Sequence, residues 1–311
     1  METKTVTRPP RRWAILGLDT TGSRLKIALM TPDGKFKSLV RKELNQETLL
    51  FPFIDRLINS SGLKLTDISK ICAIRGPGRF TGIRIGLTFA RMMNALTGIK
   101  VVGLTAFEVL AYQAVNSPDF KLWQSQIHLE SGKGGLIAVL LHAFKTEYYC
   151  QIYKWSRGNH SMVLRPPSKG LATGGKHTSV STYHWSGCLE GVTGGGNNRT
   201  LLEAVEEPKW MSSDGIRKYM DGFKSRLYCI ANAEESPDIY SLAPLNSKKA
   251  PPGISKILPE NIIIAGRLLD WGRSPFRESP LPLYLKPAKY ELKTYDYKTC
   301  NKTGYNPTCR E

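Results

Sequence analysis

Residues 74–96 read IRGPGRFTGIRIGLTFARMMNAL. An apolar run ending at Ile74 gives way to a turn with Gly76, Pro77 and Gly78, then to Thr81-Gly82 and a helical apolar pattern that stops at Gly98. The order is strand, loop, helix. Glycines allow backbone angles and close approaches that a Cβ blocks, and a Thr81 hydroxyl can cap the free amides of the helix start. Such amides attract anions, so Gly76, Gly78, Thr81, Gly82 and Arg84 are candidate anion-loop residues. A tight strand-to-helix turn with no ligand accounts for the same glycines. In the helix, Ile83, Ile85, Leu87, Phe89, Ala90, Met92, Met93, Ala95 and Leu96 leave only Arg84, Thr88 and Arg91 as a polar stripe. A stripe that narrow implies burial on more than one side, either centrally in a large domain or against both its own core and a partner.

Upstream, residues 13–30 read WAILGLDTTGSRLKIALM. A buried strand from Ala14, a turn at Asp19-Thr20-Thr21-Gly22-Ser23 and an alternating strand to Met30 make a hairpin, and Pro32-Asp33-Gly34 turns into a third strand near Phe36. A carboxylate at a strand end followed by hydroxyls and glycine can hold a metal and nucleotide phosphates, which makes Asp19, Thr20 and Gly22 candidates; such a sequence also serves as an ordinary turn. Residues 46–60 carry Leu49, Leu50, Phe53, Ile54, Leu57 and Ile58 at helical spacing, with Pro52 expected to kink or delay the helix. Strands at 70–74 and 100–104 flank the glycine loop and its helix. Alternating strands and helices predict an α/β layer fold.

The chain has 311 residues, 41% apolar and 23% charged, the balance of a globular protein with a substantial core. Lys plus Arg exceed Asp plus Glu by eighteen, a surplus that favours a polyanionic setting, RNA first. The six cysteines form no CxxC pair. No apolar run approaches a membrane span and METKTVTRPPRRW lacks a signal-peptide core, so no membrane association and a cytoplasmic location are expected.

The blocks LDTTGSRLKIAL, LTDISKICAIRGPGRFTGIRIGLTFARMM and VVGLTAFEVLA, in this order and spacing, resemble the TsaB (YeaZ) family, a glycoprotease-like branch of the actin-like ATPase superfamily. The likeness is strong from Trp13 to about Tyr112 and returns at 136–153, 193–197 and 259–289, where ENIIIAGRLLDWG resembles the family's last helix and PLPLYLKP its closing strand. It implies an actin-like (ribonuclease H-like) fold of two lobes, each a mixed sheet with flanking helices. The expected division is a basic N-terminus at 1–12, a first lobe at 13–115, a second at 116–290 with surface insertions near 116–135 and 158–256, and a basic tail at 291–311.

The resemblance further implies a non-catalytic assembly subunit that pairs with TsaD, helped by the ATPase TsaE, for threonylcarbamoyl transfer to the adenosine beside the anticodon of tRNAs reading A-starting codons. In that family the helices matching 46–60 and 81–96 face the partner, which places Phe53, Leu57, Thr88, Arg91 and Met92 at the joint. No intrinsic cofactor is implied, with ATP or ADP expected at most at the partner joint; tRNA is reached through the complex, and a homodimer is expected when the partner is absent. The second lobe's strand runs into His142-Ala143-Phe144 where the family usually carries Asp-Ala-Arg, so the second carboxylate that a phosphotransferase needs is missing from its place. No histidine lies between residues 46 and 60, where TsaD-type enzymes hold their metal, so no metal site is expected. Arg79 stands where the family has a small residue. Thr193-Gly194-Gly195-Gly196-Asn197 is a lesser anion-loop candidate, and the Lys/Tyr-rich tail suits stacking on bases. The alternative is a small-molecule kinase or phosphatase of the actin-like superfamily, motivated by Asp19.

Overall fold

In the computed structural model, the structure describes residues 13–42, 45–131, 135–158, 163–165, 187–188, 199–223, 227–270 and 281–286. The expected basic N-terminus and tail, the loop at 193–197 and His160, His177 and His184 lie outside them.

The first sheet orders its strands β3-β2-β1-β4-β5. Here β1 is Ala14–Asp19, β2 Arg24–Met30, β3 Phe36–Lys42, β4 Ile68–Ile74 and β5 Lys100–Leu104. The first three run antiparallel as a meander, and β4 and β5 join β1 in parallel. Helices α1 (Gln46–Asn59) and α2 (Phe80–Thr97) cover one face. Between them lies a core built of Leu16, Leu18, Leu25, Ile27, Leu50, Ile54, Leu57, Ile83, Leu87 and Met93 among others. Pro52 neither delays α1, which starts at Gln46, nor ends it. Gly98, with φ 69°, closes α2 in the left-handed conformation that glycine adopts without strain.

The second sheet repeats the motif. A long hairpin of β6 (Leu136–Phe144) and β7 (Glu147–Gly158) has β12 (Leu227–Ala231) parallel to β6, just as β4 lies parallel to β1. Further strands are β8 (Val163–Arg165), β9 (Gly187–Cys188), β10 (Arg199–Ala204), β11 (Lys209–Ser212) and β13 (Lys248–Lys249). The order is β13-β12-β6-β7-β10-β8-β9, with β11 also paired to β7. Helix α5 (Ser213–Asp221) and a 3-10 turn at Pro237–Leu242 cover its outer face through Ile216, Met220 and Ile239. Two copies of this hairpin-plus-parallel-strand unit make the fold an actin-like two-lobed α/β architecture.

Between the two sheets lie α3 (Ala106–Asn116) and α6 (Pro259–Asp270). One continuous core joins Cys72, Ile74 and Leu104 of the first sheet, Phe107, Leu110, Ile262 and Ile263 of these helices, and Ile137, Val139, Trp155 and Tyr228 of the second sheet. Although α6 follows the second lobe in sequence, it packs on the first sheet, where Gly17 and Gly266 let backbones approach: a Cβ on Gly17 would lie 2.8 Å from Ile263. Parts of the two stretches expected as surface insertions are load-carrying. Pro118–Ser131 forms α4, whose Phe120 is fully buried against Trp123, Trp155 and Tyr228, and β12 is buried along its whole length. Polar composition hid this, because few apolar residues separated widely in sequence supply the packing.

Candidate functional site

The turn Asp19–Ser23 and the glycine loop, two separate motifs in the sequence, are one contact in the fold. Thr20 Oγ1 donates to the Gly82 carbonyl (2.6 Å), and the Arg79 amide donates to the Thr21 carbonyl (2.8 Å). A Cβ on Gly82 would overlap the Thr20 carbonyl oxygen; on Gly78 it would lie 2.6 Å from the Thr21 carbonyl oxygen, and on Gly86 2.5 Å from Thr20 Oγ1. These glycines therefore bring the helix start against the hairpin turn rather than around an open cradle. Thr81 does not cap: the capping position belongs to Arg79, which makes no side-chain cap hydrogen bond, and α2 already begins at Phe80. Gly76, at φ 126°, is roofed by the carbonyl of Leu283, whose own amide donates to the Arg75 carbonyl (2.7 Å). Residues 281–286, expected as a closing strand, form no strand but strap this loop, and Tyr284 packs on Phe80 with ring centroids 5.1 Å apart.

Asp19 is buried at the end of β1 and accepts from the Thr21 amide (2.9 Å) and hydroxyl (2.7 Å). Burial pushes its carboxyl above the ordinary range, against the pull of nearby Lys26 and of the Thr21 bonds. Two residues that the sequence reading passed over complete the turn. Glu235 accepts from both the amide (2.7 Å) and the hydroxyl (2.8 Å) of Ser23, and Glu234 pairs with buried Lys26 (2.5 Å) and with Arg24 (3.5 Å). Both glutamates follow β12, in the second lobe. Their signal was present: LYCIA, a buried strand, runs into Asn232-Ala233-Glu234-Glu235, the same strand-end carboxylate pattern that singled out Asp19. His142, at the end of β6, instead bonds through Nε2 to the Lys145 carbonyl (3.0 Å) across its own hairpin. Among the described residues no three His, Cys, Asp or Glu side chains come together as a metal site.

Four further candidates, Thr81, Arg84, Thr88 and Met92, line a groove of about 390 Å³ on α1 and α2 together with Glu47, Leu50, Phe51, Phe80, Ile85 and Phe89. Thr88 and Met92 are exposed there. Leu57, expected on this surface, faces inward and is 8% exposed in the first-lobe core; Phe53 also packs against that core. Arg91 is half-buried. The helical stripe missed Phe51 and Phe80, which are 49% and 57% exposed and line this groove with Met92. Arg84 lies over the Phe80 ring, 5.4 Å from its centroid.

A family model described as "TsaD: tRNA N6-adenosine threonylcarbamoyltransferase" matches residues 44–124. The tRNA threonylcarbamoyladenosine biosynthesis protein TsaB of Bacillus subtilis is 28% identical over 161 residues, 51% of this chain and 62% of that protein. TsaB of Escherichia coli is 32% identical over 103 residues, 32% of this chain and 43% of that protein. The chain thus spans less than two thirds of the length of these curated relatives. In fold, YeaZ of Pseudomonas aeruginosa superposes with a TM-score of 0.53 at 17% identity, over 88% of this chain and 99% of that one. A second crystal structure, of an uncharacterized protein with similarity to peptidase YEAZ from Pseudomonas aeruginosa, gives 0.54 with the same identity and coverage. In sequence and in fold, the chain resembles the TsaB (YeaZ) proteins of the glycoprotease-like family.

Proposed function

We propose that this chain serves tRNA threonylcarbamoyladenosine synthesis as a non-catalytic subunit that pairs, through the α1/α2 face, with a catalytic subunit of the TsaD type. The observation that carries the reading is the exposed apolar set Phe51, Phe80 and Met92 around one groove of α1 and α2, two helices whose opposite sides already fill the first-lobe core. Large apolar side chains gathered on one helical face suit a protein partner. The TsaD-type family model covers residues 44–124, the stretch holding both helices, so a partner of that type would present a similar helix pair and the joint would be pseudo-symmetric. The non-catalytic reading is supported by His142 at the end of β6, the second-lobe strand that corresponds to β1, by the engagement of the carboxylates after β12 with Ser23, Lys26 and Arg24, and by the lack of histidine in α1. ATP or ADP, where it takes part, would then sit at the joint, TsaE would act on the assembled pair, and tRNA would be met through the complex.

Co-purification with the TsaD-type protein of the same source, read by native mass with and without ADP or ATP, tests this. A one-to-one complex is expected from the wild type. Met92→Glu should leave the fold intact and weaken the complex at least tenfold, because it introduces a charge into a desolvated joint. A wild-type chain that never associates, or a Met92→Glu chain that associates normally, overturns the proposal. A self-dimer lost on the same substitution would place a second copy on this face in the partner's absence.

A further inference from the structure

The turn after β1 is contacted from four directions. Thr20 and Thr21 are held by α2 and the loop before it, the Gly22 carbonyl accepts from Gln46 of α1 (3.0 Å), and Ser23 offers an amide and a hydroxyl converging on one oxygen, Oε1 of Glu235. Two donors converging beside a glycine are what a phosphate or carboxylate oxygen needs. A Cβ on Gly22 would lie 2.7 Å from that same carboxylate oxygen, so the glycine is the residue that lets the anion come close. The cations nearby are committed as well. Lys26, 3% exposed, and Arg24 both pair with Glu234.

We infer that Glu235 is the turn's built-in anion: with Glu234 it ties the second lobe to the first and occupies the seat that a phosphate group, free or on a nucleotide, would require. The argument is one of charge and space. Glu234 pairs with both cations, the Glu235 carboxylate consumes both turn donors, and the buried Asp19 carboxyl is near enough for the charges of Lys26 and Glu235 to act on it, which adds negative charge around the seat. An incoming phosphate would have to displace a tethered carboxylate, which competes as an intramolecular ligand at an effective concentration on the order of millimolar or more. The two lobes therefore meet at this turn through a contact that closes its donors to other anions. This inference concerns the isolated chain and stands apart from the partner reading, which nucleotide at a joint with another protein would leave untouched.

The test uses the full chain with inorganic phosphate and ADP as probes, read by calorimetry, together with amide hydrogen exchange at Ser23 and along 232–235. The wild type should bind neither probe. In Glu235→Ala, exchange at Ser23 should rise at least about tenfold, the effect of losing a hydrogen bond to a charged acceptor; in the near-isosteric Glu235→Gln, whose amide oxygen still accepts but carries no charge, it should rise by less. In the alanine variant phosphate binding should appear, and adding Ser23→Ala should abolish it. ADP binding tighter than phosphate would identify a nucleotide as the anion that fits the opened seat. Unchanged exchange in both variants overturns the inference, as does wild-type binding of either probe that Ser23→Ala removes. Should Glu235→Ala fail to fold, the glutamine variant still reads the exchange arm.

Discussion

At the scale of single residues, the glycines of the loop differ sharply in what they tolerate. Gly82 has the Thr20 backbone against it, which cannot move without dragging β1, whereas Gly253 has nothing within 4 Å of an added Cβ and an ordinary backbone. Gly82→Ala is expected to cost about 3 kcal/mol, at the upper end of overpacking, while Gly253→Ala stays within about 0.5 kcal/mol of wild type; urea unfolding measures both. Asp19 gives a prediction in pH. Its carboxyl titrates above its ordinary 3.8 because burial disfavours the charged form. The unfolded chain therefore loses the proton first, and this residue's contribution to stability falls as pH rises from about 3.8 through the raised value, then levels off. Asp19→Asn can keep accepting from Thr21, so it should remove this fall. Its stability at neutral pH relative to wild type should be greater than at pH 4, as urea midpoints across that range would register. A parallel pH profile in the two proteins would contradict the burial argument.

Elements were legible in the sequence wherever a local pattern sufficed. The hairpin β1–β2, the strands β4 and β5, and α2 with its glycine stop follow from alternation, helical spacing and turn residues within a few positions. What could not be read is what distant residues do to each other. Gln113, buried mid-way along α3, accepts from the Leu258 amide and the Asn261 side chain and donates to the carbonyls of Ile254 and Lys256, so one side chain fixes the entry of α6 about 145 residues later. No periodicity marks such a residue, since a glutamine on an apolar helix reads only as a polar interruption. Glu235 escaped for the same reason, although its strand-end position was visible. Leu57 was misplaced because helical spacing gives a face but not which neighbour covers it. Gln113→Ala should lower stability by about 2–4 kcal/mol through the buried groups it leaves unpaired, and thermal unfolding monitored by circular dichroism would show it. Gln113→Glu should do comparable damage, since a carboxylate cannot donate to the two carbonyls.

At the scale of the whole molecule, the layer shared by the lobes decides how the protein comes apart. The outer cores are separate, one under α1 and α2 and one under α5, but α3 and α6 fill a single core bounded by both sheets. Neither sheet can lose this layer without exposing Ile74, Leu104, Val139 and Tyr228 together, so the lobes are expected to unfold as one cooperative unit although each repeats the same strand motif. Ile263, fully buried and in contact range of Gly17, lies at the centre of that layer. Ile263→Ala should remove about 2–5 kcal/mol, and it should do so equally for probes in either lobe. Hydrogen exchange supplies those probes: amides of β1 and β4 report the first lobe and those of β6 and β12 the second. Calorimetry of the variant should retain one transition at a lower temperature, with the slowest amides of both sheets losing the same protection. Two resolved transitions, or a loss confined to β1 and β4, would mean that the lobes are held together by surface contacts such as the Glu235 bond rather than by a common interior.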